Sequence, residues 1–321
     1  VRLVYYGTPA LAVPALARLV EEGRAPLLVV TRQDRPRGRG LEVTPSPVRA
    51  AAESRGLPVA TPARAGAPEE IERLRALSPD LLLLAAYGQI LSPEILRVPR
   101  IGALNLHFSL LPRHRGASPI QAAILAGDEE TGVTTMWMTQ KLDEGPVFAA
   151  LRTRIEPEED AGSLTERLSL LGARCLSETL DRIERGEMVR EAQDASRATY
   201  APKLRREDAR LSPSLDPVAF TRRVRAFAPR PGAYLHLEEG GPLHVLAATP
   251  GAPPSGTSAA RAGAVLALDR ERGLLLRLDS GSVWLRRVRA AGRKEMGGFD
   301  YANGARLSAG SRLPLVSDGT A

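Results

Sequence analysis

The sequence predicts an α/β protein: a Rossmann-like, doubly wound, mostly parallel sheet followed by a smaller OB-like β-barrel. Three observations carry this. The first half alternates short apolar runs with segments of helical spacing, the pattern of βαβ units. Residues 189–217 lose periodicity and contain Pro202, Pro213 and Pro217. Beyond them come short β-like runs separated by turn residues. A chain of 321 residues is also longer than one core usually serves, which fits about two domains.

The elements follow in order. Residues 1–6 form an apolar strand ended by Gly7-Thr8-Pro9. Residues 13–22 repeat apolar positions at Val13, Leu16, Leu19 and Val20, as a helix requires, with Gly23 as the stop. Residues 26–31 are a second strand. After a polar loop, residues 46–55 read as a helix opening on Pro47, residues 57–59 as a short strand and residues 69–77 as a helix. Residues 81–86 are continuously apolar, which suits a strand buried on both faces, and residues 101–107 are the next strand. A helix over residues 119–126 has Ser118 as its expected N-cap and Pro119 as its first residue. Strands at 133–138 and 147–155 precede a long helix over 163–185, in which Leu164, Leu168, Leu171, Cys175, Leu176 and Leu180 keep an i, i+3/i+4 rhythm. Cys175 on that stripe reads as core packing. The expected division is a catalytic domain over 1–189, a linker over 190–208 and a C-terminal domain over 209–321. The last contains a helix at 217–226 and five strands at 233–237, 243–246, 264–268, 274–278 and 283–288, with Asp279-Ser280-Gly281 turning the final pair into a hairpin.

Composition narrows the function. No apolar run approaches the ~20 residues that span a bilayer, and the N-terminus has no signal-peptide layout. The single cysteine excludes an intramolecular disulfide and a cysteine-rich metal site. A cytoplasmic protein is expected. The net charge is +7, and residues 1–204 hold 26 basic and 26 acidic residues, against 18 and 11 in residues 205–321. A neutral large segment beside a basic small one points to a catalytic body with a polyanion-binding module. A general preference for Arg over Lys explains the arginines but not that partition. The first strand-to-helix turn lacks G-x-G-x-x-G, so a dinucleotide fingerprint is absent.

The chemistry concentrates at one strand end. Asn105 and His107 are two apart on a strand and so share a face. They lie at the edge where open α/β sheets place their sites. Asp143 lies in another strand-end loop, Leu142-Asp143-Glu144-Gly145. An amide donor, an imidazole and a carboxylate suit acyl transfer to an amine, which is its own nucleophile and needs only oxyanion stabilisation and proton movement. A neighbouring carboxylate favours the charged imidazolium. Taken alone, N-x-H is more often a satisfied strand-end histidine, with the aspartate a turn residue.

The surrounding residues change that balance. Asn105-Leu106-His107-Phe108-Ser109-Leu110-Leu111-Pro112, then Gly116, then Leu142-Asp143-Glu144-Gly145 resemble the signature of the formyltransferases that use 10-formyltetrahydrofolate. The resemblance implies that Asn105, His107 and Asp143 are catalytic. Residues 31–40 with Pro45-Ser46-Pro47-Val48, residues 86–91, Thr199-Tyr200-Ala201-Pro202-Lys203, residues 225–234 and Gly292-Arg293-Lys294-Glu295-Met296 with Asn303-Gly304 are similar to the branch that formylates methionyl initiator tRNA. That branch implies the formyltransferase fold with an OB-like tRNA-binding domain. Its partners are 10-formyltetrahydrofolate, as formyl donor, and methionyl initiator tRNA, with no metal, no membrane and a monomeric chain. It implies folate contacts from Tyr87, Gly88, Gln89, Ile90, Leu91, Ser109, Leu110, Leu111, Pro112 and Leu142, and tRNA contacts from Arg35, Arg37, Arg39, Lys203, Arg286, Arg287, Arg293 and Lys294. The chain departs from the pattern at Arg32-Gln33-Asp34, at Leu41-Glu42 where basic residues are common, at His114 where an aromatic is usual, and at Ala228-Pro229-Arg230, which lacks a frequent Trp.

Other readings remain beside this one. The arginine-rich loop at 35–40 reads as a solvated turn or as an RNA contact. Trp284 with its neighbouring arginines reads equally as a stacking surface or as a barrel strand with Trp284 in the core. A formyltransferase for a nucleotide-linked amino sugar shares the trio but needs no basic loop. A catalytically silent RNA-binding protein needs no trio.

Overall fold

The computed structural model describes residues 1–37, 42–257 and 259–316. It forms two compact units. One comprises Val1–Pro119, Glu129–Arg154 and Thr165–Pro202; the other comprises Ile120–Asp128, Ile155–Leu164 and the described residues from Lys203 onward.

The elements run β1 (Leu3–Gly7), α1 (Val13–Glu21), β2 (Leu28–Val30), β3 (Arg35–Arg37), β4 (Glu42–Thr44), α2 (Pro47–Glu53), β5 (Val59–Ala60), α3 (Pro68–Leu77), β6 (Leu81–Ala85), α4 (Pro93–Leu96) and β7 (Gly102–His107). They continue with β8 (Arg115–Gly116), α5 (Pro119–Ala126), β9 (Glu130–Trp137), β10 (Val147–Arg154), α6 (Ala161–Glu184) and β11 (Tyr200–Ala201). In the first unit one sheet has the order β10-β9-β7-β6-β1-β2-β5. β5, β2, β1, β6 and β7 are parallel, β9 runs antiparallel to β7, and β10 runs antiparallel to β9. This is the mostly parallel sheet that the alternation predicts.

The strands are apolar because both faces are covered. Val4, Tyr6, Leu28, Val30, Leu82, Leu84 and Ala103 form one core cluster with Leu74 and Ile95. On the opposite face Leu106 lies against Gly172 of α6, where a side chain at 172 would meet the Leu106 methyl at 2.9 Å. Register places Leu82 beside Ala103 and Leu84 beside Asn105. Asn105 and His107 therefore continue the row of the first cluster, and the apolar row turns polar at the carboxyl end of β7. Helix starts follow the sequence signals: Ser46 caps α2 by accepting from the Arg49 N–H at 3.0 Å, and Pro47 is its first residue.

Residues 35–37 and 42–44 differ from the polar loop expected. Arg35–Arg37 and Glu42–Thr44 pair as a small antiparallel hairpin, Arg35 opposite Thr44. Asp34 fixes its base: its carboxylate takes the Arg49 guanidinium at 2.5 Å and the Ser46 N–H at 3.3 Å.

The second unit holds α7 (Pro217–Phe227), β12 (Tyr234–His236), β13 (Pro242–Gly251), β14 (Val265–Asp269), β15 (Gly273–Leu278), β16 (Gly281–Arg289), β17 (Met296–Gly297) and α8 (Gly298–Gly304). Its antiparallel sheet runs β12-β13-β16-β15-β14, with β17 on β16. The β15–β16 hairpin turns at Leu278 and Gly281, as expected. Strand β13 is longer than its expected four residues because bulges between Val245 and Ala248 let it keep pairing with β16. The sheet closes through the chain's last described residues. Arg312 bridges Ala264 beside β14, and Leu315 bridges Leu237 beside β12. Closure removes the two edges that an open sheet would expose. Among the described residues no helix is long and apolar enough to cross a membrane.

Candidate functional site

His107 ends β7, opposite Thr134 of β9. Its ring is buried, and its Nε2 lies 2.9 Å from the His114 carbonyl oxygen. Its Nδ1 faces Asp143 Oδ2 at 3.7 Å, beyond hydrogen-bond length. Asn105 donates from Nδ2 to Asp143 Oδ1 at 3.3 Å. Among the described residues its second amide N–H has no partner. The Gly116 N–H donates to Asp143 Oδ2 at 2.9 Å. The structure thus brings Asn105, His107 and Asp143 together around one carboxylate.

Two loops deliver these contacts. Residues 108–114 are braced by polar groups. Thr134 Oγ1 donates to the Ser109 carbonyl at 2.7 Å and accepts the Leu111 N–H at 3.2 Å. Ser109 Oγ donates to the Arg113 carbonyl at 2.7 Å. The loop ends at His114 with φ 58°, a left-handed conformation. The second loop leaves β9 at the level of Ala103, where Met138 N–H meets the Ala103 carbonyl at 2.8 Å. It returns along the sheet to present Asp143, also left-handed at φ 53°. Gly145 closes this loop so tightly that a Cβ there would stand 1.7 Å from the Trp137 carbonyl oxygen.

The third component is the segment after α6, expected as linker over 190–208. Its first part packs into the first unit. Glu191 bridges Val147, and Tyr200–Ala201 pairs in parallel with Arg115–Gly116. Gly116, at φ 116°, is needed there because a Cβ would lie 2.5 Å from the Ala201 carbonyl oxygen. Gln193 Nε2 donates to the carbonyls of Asp143 at 2.8 Å and Gly145 at 2.7 Å. Arg115 holds Gln193 Oε1 from Nε at 3.1 Å and Nη2 at 2.9 Å. Thr199 Oγ1 accepts the His114 N–H at 2.8 Å. None of Gln193, Arg115, Thr199 and His114 stands out in the sequence as a site residue. Only Thr199 falls in a matched stretch, residues 199–203, and His114 registers only as a departure where an aromatic is usual.

The residues proposed for folate are placed unevenly. Tyr87 and Leu91 are buried in the core cluster with Tyr6, whose ring meets Tyr87 edge-on at 5.2 Å. The Tyr87 hydroxyl is buried without a hydrogen-bond partner, and burial, with Glu70 nearby, pushes its pKa up to about 12. A Cβ at Gly88 would stand 3.4 Å from the Arg32 guanidinium. Gln89 accepts the Ala65 N–H at 2.9 Å. Ile90 is 85% exposed and Leu142 62% exposed, two large apolar side chains left facing solvent. Ser109 is fully buried, its hydroxyl engaged by Arg113 within its loop and its carbonyl by Thr134 of β9, so it braces the loop itself. Leu110 packs against Gly132. Leu111 and Pro112 lie in the same braced loop, joined by a cis peptide bond.

Of the basic residues, Lys203, Arg286, Arg287, Arg293 and Lys294 are all exposed. Arg287 pairs with Glu295 at 2.7 Å and Arg286 with Glu158 at 3.7 Å. Lys203, Arg293 and Lys294 form no ion pair among the described residues. Arg35 and Arg37 lie on β3, and Arg39 lies outside the described residues. Trp284 is core: it is 6% exposed and packs on Leu266 and Leu275, with the Arg272 guanidinium 4.7 Å over its ring. The stacking-surface reading of Trp284 therefore falls. Among the described residues no group of three or more His, Cys, Asp or Glu side chains could hold a metal.

Residues 3–180 match the formyl transferase family, and residues 203–306 match the formyl transferase C-terminal domain. Among curated relatives, the methionyl-tRNA formyltransferase of Halorhodospira halophila is 48% identical over 96% of this chain and 98% of its own. That of Phenylobacterium zucineum is 44% identical over 97% and 99%. Among solved structures, HypX from Aquifex aeolicus in complex with tetrahydrofolic acid aligns with TM-score 0.62 and 17% identity, over 96% of this chain and 48% of that one. The N-formyltransferase from Helicobacter canadensis, solved with folinic acid and dTDP-3-aminofucose, aligns with TM-score 0.62 and 15% identity over 88% and 98%. At such identities the two structures establish the fold, whereas the near full-length relatives establish kinship: the chain belongs to the methionyl-tRNA formyltransferase family.

Proposed function

We propose that this chain transfers the formyl group of 10-formyltetrahydrofolate to the amino group of methionine on charged initiator tRNA. The observation that carries the chemistry is the convergence of Asn105, His107 and Asp143 at the end of β7. The methionyl amine attacks the formyl carbon and a tetrahedral oxyanion develops; its collapse breaks the bond between that carbon and the folate nitrogen, which leaves as tetrahydrofolate with the proton that the amine gives up. Asn105 Nδ2 still has one N–H to offer it. His107, protonated at Nδ1, is the second donor. Because Nδ1 stands 3.7 Å from Asp143, the carboxylate supports the imidazolium electrostatically without capturing its proton. Asp143 also offers a place for the amine proton, directly or through water.

The donor fits the surroundings. Exposed Ile90 and Leu142 offer apolar contact for a flat heterocycle. In this reading Arg35, Arg37 and Arg39 with Lys203, Arg286, Arg287, Arg293 and Lys294 meet the tRNA backbone, and the chain works as a cytoplasmic monomer. Incubation with formyl donor and charged initiator tRNA should yield formyl-methionine. Transfer to a nucleotide-linked amino sugar with none to tRNA would overturn the reading.

A further inference from the structure

We propose that Gln193, held by Arg115, is the positioning residue for the Asp143 carboxylate. Asp143 is a non-glycine residue at φ 53°, a conformation that persists where its surroundings over-determine it. Its own carbonyl and that of Gly145 are both tied to Gln193 Nε2, at 2.8 and 2.7 Å. One amide thus spends both of its N–H groups on the strained turn. The amide cannot reverse. A guanidinium only donates, so the Arg115 fork at 3.1 and 2.9 Å requires the Gln193 oxygen on its side. Arg115 is 3% exposed, and it also faces the Glu144 carboxylate at 3.5 Å. The residue after it donates its N–H to Asp143 Oδ2 at 2.9 Å. One short strand therefore fixes the carboxylate directly through Gly116 and the backbone beneath it through Arg115 and Gln193. Gln193 has no hydrogen bond to Asn105 or His107, so it acts through Asp143.

This proposal rests on the formyl-transfer reading. The test is single-turnover formylation of charged initiator tRNA by full-length Gln193→Leu, in wild-type and Asp143→Asn backgrounds. Small misplacements of reacting groups cost on the order of 10²-fold in rate, and that loss is expected in the wild-type background, with donor KM changed less than about twofold. In the Asp143→Asn background the same substitution should cost less than about threefold, because the carboxylate it positions is gone. Gln193→Glu keeps an acceptor for Arg115 but removes both N–H donors, and it should behave likewise where Gln193→Leu fails to fold. An equal loss in both backgrounds, or undiminished turnover in a folded variant, overturns the positioning role. Wild-type protein that makes no formyl-methionine overturns the formyl-transfer reading itself.

Discussion

His107 Nε2 lies 2.9 Å from the main-chain carbonyl oxygen of His114. A carbonyl only accepts, so Nε2 carries a hydrogen whether the ring is neutral or charged. Nδ1 is then the position that gains and loses a proton, and it faces Asp143. In ¹⁵N-labelled protein the neutral His107 ring should be the Nε2–H tautomer. A neutral ring protonated at Nδ1 would remove the proton-bearing role assigned to that atom.

The same geometry sets the cost of each deletion. Asn105→Ala and His107→Ala each remove one oxyanion donor, which costs about 10²–10³ in rate. Asp143→Asn keeps the shape but loses the charge, and should be similarly impaired. Folding and donor affinity, followed by thermal melting and ligand titration, should stay near wild type. Near-normal turnover in both Asn105→Ala and His107→Ala would dismiss the assignment.

The barrel's closure gives a stability prediction. The match to the family's C-terminal domain ends at residue 306, yet the bridges that close the sheet lie at Arg312 and Leu315. Leu313 is fully buried and Leu315 7% exposed. Replacing a buried Leu by Ala typically costs about 2–5 kcal/mol, so Leu313→Ala should lower the denaturation midpoint markedly. A chain ending at residue 309 should expose the β12 and β14 edges and aggregate on heating. Unchanged melting of both would show that the closure is dispensable.

Much of this architecture is legible in the sequence because period and composition state it directly. The apolar runs at residues 26–31 and 81–86 become β2 and β6, and the Leu164–Leu180 rhythm becomes α6. Asn105 and His107 fall on one face because strand periodicity admits no alternative. The β3–β4 hairpin is illegible because Pro36 and scattered arginines mask a three-residue pairing. The strap through Gln193 is illegible for a different reason. Its hold on Asp143 is a tertiary contact spanning 50 residues, made by single hydrogen bonds, and local periodicity carries no trace of such a bond. The basic surface is half legible: the arginines near Trp284 are exposed, but the ring between them is packing.

Cys175 is 1% exposed on α6. Burial pushes its thiol up to about 11, so almost none is thiolate at pH 8. Thiol reagents react with the thiolate. The native protein should therefore resist a chromogenic disulfide reagent at pH 8 and release one equivalent of chromophore after unfolding. Rapid native labelling would mean that α6 opens locally. Cys175→Ala should leave formylation unchanged, since the thiol stays within the helix packing.

The net +7 lies in residues 205–321, and there Arg293 and Lys294 are exposed with no ion pair among the described residues. Arg287, by contrast, is engaged by Glu295 at 2.7 Å and must break that pair to meet a phosphate. Each phosphate that a side chain no longer neutralises lowers the log–log salt slope of binding by roughly 0.7–0.9, depending on whether the RNA is single- or double-stranded. Arg293→Ala with Lys294→Ala should therefore flatten the slope by about twice that amount, and should do so equally for initiator and elongator tRNAs. Arg287→Ala should change it less. Arg39 follows β3 in the chain. Its removal should act on use of the charged acceptor end: about 1–3 kcal/mol of transition-state stabilisation on tRNA, with donor KM unchanged. The two sets of variants separate grip from delivery. If Arg39→Ala instead flattened the salt slope and spared turnover of bound tRNA, Arg39 would be one more phosphate ligand, and placing the methionyl amine beside Asn105 and His107 would fall to other residues.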